Sequence, residues 1–315
     1  DGDTNPEAGS SCDHGTHVAG TIAGSGVDAS RGVPIRGVAP DATLVVSRIF
    51  DDNCNWATAG TSPKRKFKAV NDRGADIISN SWGDTAASAD GDYDIAASKT
   101  DTWAKNHPDT LVVFSNGNLN TSAGAPPASQ QHVGSPGLAK NVIAVGILRD
   151  GSRSSDGNVT DGSVPNTATD SGTNNLAPSE DMEDGSGRRK PELYAPGQEV
   201  TASVNGGYGE KSGTSMAAPH VSGVAALLKE KYPNMGANAL RAELIATAAP
   251  PDLDGYGVVN ANNALFGPAG DPNPYEYEHR HWKGSVKKIH PPARWVTGEE
   301  KLKRVENDEK DIRVP

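Results

Sequence analysis

"TLVVFSNGN", residues 110–118, opens on a continuous apolar, β-branched run and closes on small polar residues. An apolar run without polar alternation is what a strand needs when both of its faces are covered. Reading outward, "ADIISNSWG" (residues 75–83) and "NVIAVGIL" (141–148) have the same character, and "ATLVVSRIF" (42–50) reads as a further buried strand. Helical patterns lie between them: "KRKFKAVNDRG" (64–74), ending at a glycine, and "IAASKTDTWAKNHP" (95–108). Two more helices follow, "TSMAAPHVSGVAALLKEKY" (214–232) and "GANALRAELIATAA" (236–249). Buried strands alternating with helices predict an α/β fold of three layers, a parallel β-sheet covered by helices on both faces.

The chain has 315 residues, 35% of them hydrophobic, with 36 glycines and 22 prolines. That describes a loop-rich globular protein with room for one large domain or two smaller ones. The net charge is −10 and the acidic residues are dispersed. Nucleic-acid binding and attraction to membrane surfaces both want basic patches, so the composition argues against them. No apolar run approaches the roughly 20 residues of a membrane span. Residues 149–190 are rich in Gly, Ser, Asp and Asn and read as a long surface excursion. Composition shifts after Gly267, where "GPAGDPNPYEYEH" (267–279) reads as a Pro-rich linker and a densely charged stretch runs to Pro315. The expected division is therefore 1–267 and 268–315. Cys12 and Cys54 are the two cysteines. They are either two free thiols or one disulfide of a secreted protein.

Three short stretches set a reactive or polar side chain among Gly, Ser, Thr and Ala: "DHGTHVAGTIAG" (13–24), "SNGN" (115–118) and "SGTSMAAPHVSG" (212–223). A serine hydroxyl is a poor nucleophile until a base takes its proton, and histidine is the natural base at neutral pH. The tetrahedral intermediate then needs donors aimed at its oxyanion. One site results if Ser215 is the nucleophile, His14 the general base and Asn118 the side-chain donor. A serine at a helix start adds its own N–H to those donors, and small neighbours let a peptide backbone approach. Pro219 is expected in the first turn, where its missing N–H costs nothing.

Blander readings stand beside these. Ser215 could be a structural N-cap, and Asn118 a turn residue. His14 and His17, with Cys12 as a third ligand, could hold a metal in a metal-dependent hydrolase, although their spacing without an intervening Glu is not HExxH. His17 reads better as a buried structural histidine, and His220 as packing. "DGDYD" (90–94) lacks the downstream glutamate of a calcium loop and reads as solvated.

"HGTHVAGTIAG", "GTSMAAPHVSG" and "APG" (195–197) resemble the subtilisin-like serine proteases, the subtilases, with histidine before serine in chain order. "RGVAPDATLVV", "SNSWG", "GSPGLAKNVIAVG" and "SGRRKPELYAPG" resemble the intervening segments, so the resemblance covers residues 1–267. It is nearest to the branch of oxidatively robust alkaline proteases with a C-terminal β-sandwich, which makes 268–315 a linker and the start of such a domain. The resemblance implies a serine endopeptidase acting on protein or peptide substrates, secreted and monomeric. His14 matches the general base, Ser215 the nucleophile and Asn118 the oxyanion donor. Ser81, Trp82, Gly83, Asn116 and Gly117 match substrate-binding positions. Asn116 stands where the family usually has a small residue, which leaves the specificity open. The chemistry requires no cofactor; structural calcium is common in the family, with no matching residues to assign. The family's triad aspartate lies in an Asp-Ser/Thr-Gly context well before the histidine. Asp1, Asp3 and Asp13 lack that context, so the aspartate is expected upstream of Asp1. As written, the chain is then expected to be nearly inactive. The alternative is a catalytically inactive relative serving as a binding or scaffold protein.

Overall fold

The structure, a computed structural model, describes residues 12–28, 33–50, 63–83, 93–118, 133–148, 190–249 and 256–267. The expected surface excursion up to residue 189, the tail from 268, and Asp1, Asp3 and Cys54 lie outside the described residues. In chain order the elements are α1 (His14–Ala23), β1 (Val27–Asp28), β2 (Val33–Pro34), α2 (Pro63–Asn71), β3 (Ile77–Asn80), α3 (Ile95–Asn106), β4 (Leu111–Ser115), β5 (Ile143–Leu148), β6 (Leu193–Pro196), β7 (Val200–Val204), β8 (Gly207–Lys211), α4 (Thr214–Lys231), α5 (Ala237–Ala246) and α6 (Ala261–Phe266).

β4 is buried along all five of its residues, as its unbroken apolar run requires. It is parallel to β3, with Leu111 opposite Ile77, and to β5, with Val113 opposite Ile143. β6 extends the sheet beyond β5, giving the order β3-β4-β5-β6. Successive β4 side chains point to opposite faces. Leu111 and Val113 join Val221, Leu228, Leu240 and Leu244 under α4 and α5. Val112 and Phe114 join Phe67, Trp103 and Leu138 on the side of α2 and α3. Phe114 meets the edge of Trp82 at 5.2 Å between ring centroids and that of Phe67 at 6.2 Å. The three-layer α/β arrangement is thus present, with helices on both faces of a parallel sheet.

One expected strand is not formed. Residues 42–49 belong to no strand, and Leu44 and Val46 are 43% and 54% exposed. An apolar run becomes a strand only when a neighbour takes its backbone N–H and C=O groups. β3 is the edge of the four-stranded sheet, and a cavity of about 1020 Å³ separates it from residues 42–50.

β7 and β8 form an antiparallel hairpin turned by Asn205 and Gly206. Gly206 sits there at φ 83°, a left-handed conformation that glycine adopts without strain. α1 packs on this hairpin and on α4. Fully buried His17 approaches Val200 O at 2.9 Å and Gly209 O at 3.2 Å through Nε2. Both partners are carbonyls, so Nε2 carries the proton and donates to them. Gly20 lets the layers meet: a Cβ there would stand 2.9 Å from Ser203 N.

A buried ionic knot fastens the far side. Glu192 sits between Lys190 Nζ at 2.7 Å and Arg241 Nη2 at 3.0 Å, and its other oxygen accepts from Ala144 N at 2.7 Å. Lys190 also donates to Ala139 O. This joins β5, β6 and α5. No helix among the described residues is long and apolar enough to cross a membrane.

Removing Glu192 would leave two buried cations facing each other. Glu192→Ala is expected to destabilise by about 3–5 kcal/mol, read as a lower urea midpoint at unchanged slope. A second expectation concerns acid. Burial holds both His17 and His220 below the usual histidine range, and His17 Nδ1 is buried with no partner for a second proton. The unfolded chain therefore takes up protons first as pH falls. Stability should be complete above about pH 6.5 and drop below it until the folded-state values are passed. Urea midpoints measured from about pH 7.5 down to 5 should fall, and less steeply in His17→Gln.

Candidate active site

Ser215 is the second residue of α4. Its N–H is therefore among the four that an α-helix leaves without an intrahelical partner. The helix start is clamped from β4's exit. Gly117 follows that strand at φ 96°, a left-handed conformation that glycine adopts without strain. Its carbonyl accepts from Thr214 Oγ1 at 3.2 Å. Asn118 Oδ1 accepts from Thr214 N at 2.9 Å and from Thr214 Oγ1 at 3.1 Å. The backbone N–H can only donate, so it fixes which end of the amide is oxygen. The Asn118 NH₂ group is left pointing away from the clamp, on an exposed side chain. Thr214, which the sequence reading passed over, is what orients Asn118.

Pro219 is not in the first turn. It is the sixth residue of α4, inside the helix. There its missing N–H deprives the carbonyl four residues earlier of its donor, and that carbonyl belongs to Ser215. Ser81 Oγ donates to Ser215 O at 2.7 Å in its place. The Ser215 hydroxyl in turn approaches Ser81 O at 3.5 Å, at the limit of a hydrogen bond. The proline thus joins the start of α4 to the residue after β3.

The other matched positions fall around this centre. Trp82 packs its ring on Phe114, donates from Nε1 to Asn80 Oδ1 at 3.0 Å, and lies under Lys66 Nζ at 4.4 Å from the ring centre. Gly83 lies against the Ser135 turn, where a Cβ would come 2.9 Å from Ser135 O. Asn116 is fully buried; its N–H donates to Val145 O, its carbonyl accepts from Gly134 N, and neither side-chain polar atom has a partner.

His14 begins α1. It lines the same cavity as Ser81 and Trp82, and no hydrogen bond joins it to Ser215. Burial holds it below the usual histidine range, and the charges of Lys211 and His17 add to this while Asp13 opposes it. A depressed value keeps the imidazole neutral, the form a general base needs. Among the described residues no carboxylate accepts a hydrogen bond from His14. Asp13 is paired instead with Lys211 at 2.8 Å.

Cys12 is disulfide-bonded, and the chain's other cysteine is Cys54. The reading of two free thiols is therefore corrected. Cys12 offers no thiolate to a metal, and His17 Nε2 is occupied by two carbonyls. Among the described residues no group of three or more His, Cys, Asp or Glu is placed to hold a metal ion. The residue types are suited to acyl transfer: a hydroxyl at a helix start, an amide clamped to the residue before it, and a neutral imidazole on the neighbouring helix.

A family model described as the Subtilase family matches residues 1–272. The thermostable alkaline protease of Halalkalibacterium halodurans is 30% identical over 256 residues, which cover 80% of this chain and 57% of that protein. The extracellular serine protease of Serratia marcescens is 29% identical over 312 residues, covering 81% of this chain and 28% of that protein. The chain thus spans little more than half of the first relative's length and under a third of the second's. The solved structure of sphericase superposes with a TM-score of 0.55 at 28% identity, covering 80% of this chain and 74% of that one. With that model matched over most of its length and the parallel sheet shared with a solved relative, the chain belongs to the subtilase family.

Proposed function

We propose that the protein is a serine endopeptidase that hydrolyses peptide bonds through an acyl-enzyme on Ser215. The observation that carries this reading is the Thr214 clamp. It holds Asn118 Oδ1 on Thr214, the residue before Ser215, and leaves the amide's NH₂ outside the clamp near the start of α4. Two donors at a helix N-terminus make an anion site where the substrate's carbonyl oxygen would gain charge. His14 takes the Ser215 proton as Oγ bonds to the carbonyl carbon. It then returns that proton to the departing amine as the C–N bond breaks, and water repeats the sequence to release the acid. Ser81, Trp82, Gly83 and Gly117, with buried Asn116 behind them, are the proposed substrate-binding positions. The reaction written this way needs no cofactor.

A carboxylate against the outer nitrogen of His14 would orient the ring and stabilise its protonated form. None is bonded to it among the described residues, and without such a carboxylate activity is expected to be low. The same observation favours a second reading, an inactive relative that binds without cleaving. The disulfide at Cys12 supports an extracellular location, since such bonds persist in oxidising surroundings. We propose peptide or protein substrates and a monomer.

A fluorophosphonate probe applied to the full-length natural product should label Ser215, located by mass spectrometry, and leave Ser215→Ala unlabelled. A folded protein that takes no label would establish the binding reading instead. Asn118→Ala should lower kcat by about 10²–10³ with KM little changed, as the loss of the matching donor does in subtilisin. An unchanged kcat would remove Asn118 from the oxyanion site.

A further inference from the structure

We propose that the Asp13–Lys211 ion pair is a positioning clasp, which sets His14 relative to the helix start that carries Ser215. The inference rests on the roles proposed above for those two residues. Asp13 immediately precedes His14, and Lys211 ends β8 four residues before Ser215. A single contact of 2.8 Å between Asp13 Oδ1 and Lys211 Nζ therefore joins the segment bearing the base to the segment bearing the nucleophile. The two side chains are 31% and 30% exposed, so water screens the pair only in part.

The use made of Asp13 is the telling detail. It occupies the N-cap of α1, where aspartate is among the best residues for accepting from the exposed N–H groups of the first turn. It makes no such bond. Its carboxylate reaches instead across to β8. The backbone carbonyl alone serves the helix, accepting from His17 N at 2.9 Å. Local helix stability has been given up for a contact between two elements far apart in the chain.

The rest of the interface makes this contact a lever. His17 fastens the middle of α1 to both hairpin strands. Ser212 Oγ accepts from Glu199 N at 2.8 Å, and Gly213 N donates to Gly197 O at 2.7 Å. The hairpin's exit and the middle of α1 are thus held independently. The first turn of α1, with His14 on it, is left to be tied by Asp13 and the Cys12 disulfide. The pair also sets the field at the imidazole. The groups facing His14 are Asp13 and His17 on α1 and Lys211 on β8. On α4, His220 feels the charge of His17. β7 brings no titratable side chain. Arg48, Lys66, Arg73, Asp76, Lys229 and Glu230 share the cavity that His14 lines. Lys211 disfavours the imidazolium and Asp13 favours it.

The test follows the His14 ring proton by NMR titration in the full chain, for the natural protein and for Lys211→Met, Asp13→Asn and Lys211→Arg. Lys211→Met removes a like charge, so His14 should titrate at higher pH. Asp13→Asn removes an opposite charge and leaves Lys211 uncompensated, so His14 should titrate at lower pH. Lys211→Arg keeps the pair and should leave the midpoint in place. In the full-length natural product, the acid limb of kcat/KM should move in the same two directions. The first two variants should lose up to about 10²-fold in kcat through misplacement of the base, and Lys211→Arg should retain it. Midpoints that stay fixed, or move in the same direction in both charge-removing variants, would overturn the clasp. So would kcat unchanged by both. The titration does not depend on turnover, so a failure of Ser215 to take a fluorophosphonate would reject the peptidase reading without touching this result.

Discussion

Much of this structure hangs on one absent hydrogen. Pro219 has no N–H to give to Ser215 O, and a helix interior normally tolerates that loss poorly. Ser81 supplies the missing donor from the end of β3. A local defect in α4 thereby becomes a bond between the helix and the sheet, at the serine proposed as the nucleophile. Thr214 completes the arrangement from the other side by holding Asn118 and Gly117. The start of α4 is fixed between the exits of two neighbouring strands, and the proposed chemistry takes its geometry from that.

The sheet makes such a meeting natural. β3 and β4 are parallel, so both end on the same side, where Ser81 and Asn116–Asn118 leave them. A helix whose inner residues are small, including Ala217, Ala218 and Ala225, lies close against the apolar face of the sheet. Its first turn then meets those exits. Apolar burial below and polar clamps above are consecutive parts of the same elements, so the rigidity of one serves the other.

The sheet was readable wherever one segment carried enough information. Residues 111–114 and 143–147 are apolar runs, and they lie buried in strands of the sheet. Residues 42–49 have the same character and form no strand, because pairing belongs to two segments and only one is visible in a run of letters. The hairpin of β7 and β8 was overlooked, although Asn205-Gly206 marks its turn. Ser215, His14 and Asn118 stood out by their small neighbours. Three features had no local signal: the clamp by Thr214, the ion pair of Asp13 with Lys211, and the knot of Glu192 with Arg241. Each joins residues dozens to nearly two hundred positions apart. Pro219 was misplaced because its tolerated position depends on Ser81, which lies far earlier in the chain.

The close approach at Gly20 has a consequence for how such a protein can change. With Ser203 N only 2.9 Å from where a Cβ would stand, position 20 of α1 admits no larger residue without moving the hairpin. Moving the hairpin displaces Lys211 and the entry to α4 together. Substitutions on that face are therefore coupled, and single steps there meet a barrier that paired steps could pass. Variation is left to the outer face of α1 and to the loops beyond the strand ends. A lineage could vary there while the spacing of α1 from the start of α4 stays constant.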